Sequence, residues 1–141
     1  MADDMEKIGR EENEDSRAYP VACPVTGEVI PLSQIPDSTF ASGIMGPGVG
    51  IRPEDGRIAA PFDGEVSALF DTKHVMGLTG DDGGVEVLIH VGIGTVELRG
   101  AYITALVAPG DHVKAGQILL EVDLEKIREA GCDTTVAVLV S

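Results

Sequence analysis

The chain has no tryptophan, two tyrosines and three phenylalanines, so it lacks the aromatic surface on which bases or sugar rings stack. Cationic side chains are also scarce. Ten Lys and Arg stand against 24 Asp and Glu, leaving a formal net charge of −14 and a pI near 4.3. A nucleic-acid binder needs a basic face to neutralise phosphates, and anionic lipid attracts polybasic segments, so neither partner fits. No apolar run approaches the roughly 20 residues that span a bilayer. The longest late run, Val136-Ala137-Val138-Leu139-Val140, is strand-sized. The N-terminus has no basic region followed by an apolar stretch, so neither a secretory leader nor direct membrane insertion is expected. Two cysteines, Cys23 and Cys132, form no disulfide framework and no C-x-x-C pair. They read as buried small hydrophobes in a reducing cytoplasm.

What is present is a single domain's worth of sequence, 141 residues, with glycine (18) and proline (8) in excess of average usage. Residues 1–18 carry seven acidic and three basic side chains without apolar periodicity, as expected of a flexible acidic tail or linker. An amphipathic helix for a membrane surface is disfavoured there by the negative charge. Residues 19–141 form the candidate domain, in which short Val- and Ile-rich runs alternate with Gly, Pro and Asp turns, the pattern of an all-β fold. Pro24-Val25-Thr26-Gly27-Glu28-Val29 with Leu32 recurs as Pro61-Phe62-Asp63-Gly64-Glu65-Val66 with Leu69. Each copy reads as a Pro-led turn at a Gly and a strand leaving it, as in a β-fold of two similar halves. Further strands are expected at Val85–Gly92, Tyr102–Val107, Gln117–Val122 and Thr135–Val140. One helix is expected, Leu124–Ala130, with Asp123 as N-cap and Gly131 at its end. The Gly-rich run Gly43–Gly50 reads as a turn, because Pro47 removes a donor and no Lys follows, unlike a phosphate-binding loop.

Three histidines could carry chemistry. His112, between the turns at Gly110 and Gly116, reads as a solvated loop residue. In the strand ending at His90, alternation puts Val85, Val87, Ile89 and Val91 on one face and Glu86, Leu88 and His90 on the other. An imidazole late in an apolar strand, just before Gly92-Ile93-Gly94, could reach a shallow depression, although a satisfied structural histidine is the simpler local reading. Alternation also places the Thr72 hydroxyl on the side of His74, where it could fix the tautomer and aim of the ring. A divalent metal held by His74 and His90 is conceivable but not expected, because two histidines on separate strands lack diagnostic ligand spacing.

The segment Glu86-Val87-Leu88-Ile89-His90-Val91-Gly92-Ile93-Gly94-Thr95-Val96-Glu97-Leu98-Arg99-Gly100 closely resembles the active-site strand of glucose-class (type 1) enzyme IIA domains. These belong to the bacterial phosphoenolpyruvate-dependent sugar phosphotransferase system. Phe70-Asp71-Thr72-Lys73-His74-Val75-Met76-Gly77-Leu78 resembles the second histidine motif of the same family. The turns Pro24–Glu28, Met45–Gly48, Ala60–Gly64 and Gly110–Val113 follow in matching order.

The resemblance implies an antiparallel β-sandwich or barrel-like fold of the glucose-permease IIA type, with at most short helices. It implies a cytoplasmic phosphocarrier, in which His90 accepts a phosphoryl group from the phosphocarrier protein HPr and passes it to the sugar-specific enzyme IIB of a IIB/IIC permease. His74 would support the transfer and Thr72 orient the pair, with no cofactor required. Phe40, Ile44, Met45, Phe70 and Val96 match an apolar docking collar, and Asp37 and Glu86 could supply an acidic rim that steers a basic partner face.

Two departures stand out. Gly94 replaces the family's usual Asp, removing a rim charge. Family members also usually continue past the position of Ser141 to a further strand, so either the sequence is cut short of its natural end or this member is natively short, with an unpaired sheet edge that favours association. Two other readings compete. One is a protein-binding regulator of the same fold that responds to phosphorylation. The other is a biotinyl- or lipoyl-like carrier, suggested by the hairpin Val107–Leu119, after which only Lys126 is available for modification.

Overall fold

The computed structural model describes residues 22–81 and 84–141, so the expectation of a flexible tail over residues 1–18 lies outside the described residues. Among the described residues ten strands form, in chain order: β1 Gly27–Pro31, β2 Gly48–Pro53, β3 Arg57–Ala59, β4 Gly64–Leu69, β5 Val75–Gly80, β6 Glu86–Ile93, β7 Ile103–Ala105, β8 His112–Val113, β9 Ile118–Val122 and β10 Asp133–Val140. They make a seven-stranded sheet ordered β1-β2-β10-β6-β5-β4-β8 and a three-stranded sheet ordered β3-β9-β7. Every pairing is antiparallel. The all-β expectation holds.

The main core contains Ile51 of β2, Val66 of β4, Met76 and Leu78 of β5, Val87, Ile89 and Val91 of β6, and Val136 and Val138 of β10. The small sheet contributes Ile58, Ile103 and Leu120 to the same core. Each such side chain contributes roughly 1.5–3 kcal/mol by leaving water. The other face of the large sheet carries a second cluster, in which Ala137 and Leu139 pack with Ile30, Ile35 and Phe40. Strand β10 is therefore buried on both faces, which is why it reads as an unbroken apolar run rather than an alternation.

The repeat is realised in three dimensions. Gly27 opens β1 opposite Pro53, and Gly64 opens β4 opposite Gly80. A Cβ at either glycine would strike a backbone carbonyl of the facing strand, that of Arg52 or Thr79.

The expected helix forms over Leu124–Glu129 (designated α2), and the Asp123 side chain accepts from the Lys126 amide at 3.1 Å. A second helix was not anticipated: the one-turn α1, Ser38–Ala41, capped by Asp37. Several further expectations are corrected. The run Gly43–Gly50 is a turn only at its start, because Gly48–Gly50 already belong to β2. The strand expected from Tyr102 starts at Ile103, since Tyr102 adopts φ 71° and cannot sit in a ladder. His112 is exposed but opens β8 instead of lying in a loop, and its Nε2 is 2.6 Å from Asp81 Oδ2. Cys23 and Cys132 are half-buried against the main core instead of enclosed by it. Strand β10 lies in the interior of the large sheet, pairing with β2 on one side and β6 on the other.

Candidate functional site

His90 and His74 meet on the outer face of the large sheet. Strands β5 and β6 are adjacent, Val75 is paired with His90, and the Val91 amide donates to the His74 carbonyl at 2.7 Å. The two imidazoles stand edge to face, with centroids 5.1 Å apart and planes at 89°. His90 is where alternation puts it: Val87, Ile89 and Val91 face the main core, while Glu86, Leu88 and His90 face outward.

His74 and Thr72 are brought together by a different device from the one expected. They lie in the β4–β5 turn, before β5 begins, and Lys73 between them adopts φ 61°. The Lys73 amide closes the turn on the Phe70 carbonyl at 2.8 Å, so the Thr72 and His74 side chains come together through a tight bend. Thr72 Oγ1 is 2.5 Å from His74 Nδ1. A hydroxyl donating to Nδ1 leaves His74 Nε2 as an N–H donor. His74 is only 5% exposed.

His90 Nδ1 donates to the Gly92 carbonyl at 2.8 Å, which leaves Nε2 with the free lone pair. Gly92 had no assigned role from sequence beyond a Gly-x-Gly turn, yet it fixes the tautomer of the candidate nucleophile. The available signal was a glycine two residues after a histidine at a strand end. Gly92 has φ 77°, and the β6–β10 register shifts beside it, between Asp133 and Val136. That irregularity turns the Gly92 carbonyl back onto the ring.

Both rings sit below the ordinary histidine pKa of 6.5. For His74 the main cause is burial, followed by repulsion from His90. For His90 burial again lowers the value, partly offset by the Gly92 carbonyl and the Asp37 carboxylate, which favour the charged ring. At neutral pH both imidazoles are uncharged, and His90 presents a lone pair.

The collar residues divide. Ile44 (80% exposed), Met45, Phe70 and Val96 stand open to solvent as expected. Phe70 also sets its ring against His74 at 5.8 Å. Phe40 differs from these: it is buried and packs edge-on against the His90 ring at 4.9 Å. Asp37 is half-buried, and its Oδ1 accepts from the Thr39 amide at 2.8 Å, which starts α1 and aims Phe40 inward. Glu86 shares the His90 face but lies at the other end of β6, lining a groove of about 320 Å³ with Met45 and Leu88. Gly94, at φ 77°, caps a 3₁₀ turn over Thr95–Leu98, and a side chain there would meet open space.

Among the described residues no group of three His, Cys, Asp or Glu side chains is placed to hold a metal ion. No described helix is long and apolar enough to cross a membrane. Lys126, the residue a lipoyl-like carrier would modify, lies within α2 and not in a hairpin turn.

The family model described as phosphoenolpyruvate-dependent sugar phosphotransferase system, EIIA 1, matches residues 19–141. The raffinose carrier protein of Pediococcus pentosaceus is 49% identical over 121 residues, which are 86% of this chain and 19% of that protein. The PTS system beta-glucoside-specific EIIBCA component of Dickeya chrysanthemi is 52% identical over 118 residues, 84% of this chain and 18% of that protein. The chain thus spans less than a fifth of the length of these curated relatives. Among solved structures, glucose permease IIA from Mycoplasma capricolum superposes with a TM-score of 0.78 at 30% identity, covering 85% of this chain and 77% of that one.

Proposed function

The chain belongs to the EIIA 1 family of the phosphoenolpyruvate-dependent sugar phosphotransferase system, a phosphocarrier family, and from that premise we propose that His90 Nε2 is the atom that carries the phosphoryl group. The observation behind this assignment is the bond from His90 Nδ1 to the Gly92 carbonyl, which commits the ring to the tautomer with its lone pair on Nε2. In the forward step that lone pair forms the nitrogen–phosphorus bond. The bond from phosphorus to the donor breaks, and its electron pair leaves with the donor. The ring gains positive character as the bond forms, and the Gly92 carbonyl and the Asp37 carboxylate favour that charge. His74, with Thr72 donating to its Nδ1, offers Nε2–H to the phosphoryl oxygens, a preorganised donor aimed at developing charge. No proton has to move, and no cofactor is required in this scheme.

The donor in this reading is HPr, seated on Ile44, Met45, Phe70 and Val96, and the acceptor is a sugar-specific enzyme IIB. The name of the Dickeya chrysanthemi relative combines the A unit with B and C units in one component, which supports a IIB/IIC partnership. We place the reaction on the cytoplasmic side of the permease. The test is ³¹P NMR of the chain after incubation with phosphoenolpyruvate, enzyme I and HPr. An acid-labile phosphorus resonance coupled to the ring protons of His90 in the Nε2 pattern is expected. A phosphate on the Nδ1 position, or on any other side chain, refutes the assignment.

A further inference from the structure

We propose that Thr95 is a positioning residue for His90, acting through Gly92; the inference rests on the assignment of His90 as phosphoryl carrier. Thr95 is 1% exposed and opens the 3₁₀ turn that follows β6. Its hydroxyl donates to the Val91 carbonyl at 2.5 Å, the peptide unit immediately before Gly92. Its methyl group occupies the space where a Gly92 Cβ would stand, and its hydroxyl oxygen is 3.4 Å from the same point.

The two γ-substituents of one threonine therefore clasp Gly92, the hydroxyl through the preceding carbonyl and the methyl group in the space beside Cα. The left-handed φ of Gly92 is a soft conformation with no side chain of its own to hold it. The clasp supplies the missing restraint and fixes the direction of the next carbonyl, the Gly92 oxygen that accepts from His90 Nδ1. Among the described residues Thr95 makes no hydrogen bond to either histidine ring, so its effect on transfer passes through the backbone. The hydroxyl sets the peptide plane and the methyl group sets the packing. Serine keeps the first and loses the second, whereas valine does the reverse. The 3₁₀ turn brings Thr95 back under β6 because Gly94 takes φ 77°, which ties this end of the strand into one unit.

The experiment compares the full 141-residue chain with Thr95→Val and Thr95→Ser. The first readout is the ring ¹⁵N shifts and the Nδ1–H exchange rate of His90, without any phosphoryl donor. The second is the rate of phosphoryl transfer from phospho-HPr. Thr95→Val is expected to accelerate Nδ1–H exchange and mix the two tautomers, and to slow transfer about fivefold, the worth of one hydrogen bond. Thr95→Ser is expected to keep the wild-type tautomer and transfer within about twofold. A Thr95→Val protein with the wild-type Nδ1–H signal overturns the proposal, as does a Thr95→Ser protein that loses it. Should Thr95→Val fail to fold, Thr95→Ala, which removes both γ-substituents, decides: faster Nδ1–H exchange than in the wild type supports the clasp and a wild-type signal refutes it. Because the NMR readout needs no HPr, failure of the wild type to accept phosphate would count against the carrier assignment and not against the clasp.

Discussion

The imidazoles of His74 and His90 are perpendicular neighbours, 5.1 Å between centroids, held there by the pairing of Val75 with His90 across β5 and β6. An edge-to-face pair lets one ring present a lone pair while the other presents an N–H to the same external group. Replacing His74 by Gln keeps an amide donor of similar reach but loses the geometry set by Thr72. His74→Gln is expected to slow phosphoryl transfer to His90 about a hundredfold while changing stability by about 1 kcal/mol. Rapid-quench transfer rates and a urea titration measure the two. Equal rates would remove His74 from the mechanism.

The direction of both histidine shifts fixes a pH dependence. Each ring is held below 6.5, so the folded chain binds fewer protons than the unfolded chain as pH falls from 6.5 toward the folded values. Stability is therefore full above 6.5 and declines as pH drops through that window. Acceptance of phosphate should persist below 6.5 and fail only when His90 is protonated in the folded state. Asp37→Asn removes a charge that raises the His90 value, so its rate–pH profile is expected to move to lower pH. A move to higher pH would contradict the electrostatic role given to Asp37.

Gly92 and Gly94 share φ 77° but not their surroundings. A Cβ at Gly92 would strike the Thr95 methyl group and lie 3.0 Å from the Asp133 carbonyl, whereas at Gly94 it would meet nothing within 4 Å. Gly92→Ala is expected to cost about 3 kcal/mol or more, strain plus overpacking, and Gly94→Ala about 1 kcal/mol from strain alone. Chemical denaturation of the two variants measures the difference. Equal losses would mean that the clash at Gly92 is relieved by movement of Thr95.

The proposed docking surface makes a separable expectation. Ile44 and Val96 are open to solvent and sit outside both apolar clusters. Ile44→Ser with Val96→Ser is expected to raise the KM for phospho-HPr about tenfold and to leave stability within about 0.5 kcal/mol. Steady-state transfer assays decide. A lower kcat at unchanged KM would place these residues in the chemistry and not in docking.

Much of this was legible in the chain before any coordinates. Period-two alternation put His90 on the outer face of β6, and the Asp123 and Gly131 signals bounded α2. The repeated Pro-x-x-Gly-Glu-Val marked the starts of β1 and β4. Legibility failed where a feature is too short or too distant to leave a period. The helix Ser38–Ala41 is a single turn, so only its cap, Asp37, could announce it, and nothing local says that Phe40 will back His90. Thr72 and His74 do meet, but through a turn in which Lys73 takes a left-handed conformation. The partner of His90 Nδ1 is a backbone carbonyl, and a carbonyl has no letter in the sequence.

The decisive measurement is incorporation of label from phosphoenolpyruvate, in the presence of enzyme I and HPr, into the wild-type chain and into His90→Ala. The wild type is expected to take up about one acid-labile phosphoryl group per chain, as one carrier nitrogen requires, and His90→Ala none. Equal incorporation into both proteins would show that His90 is not the carrier.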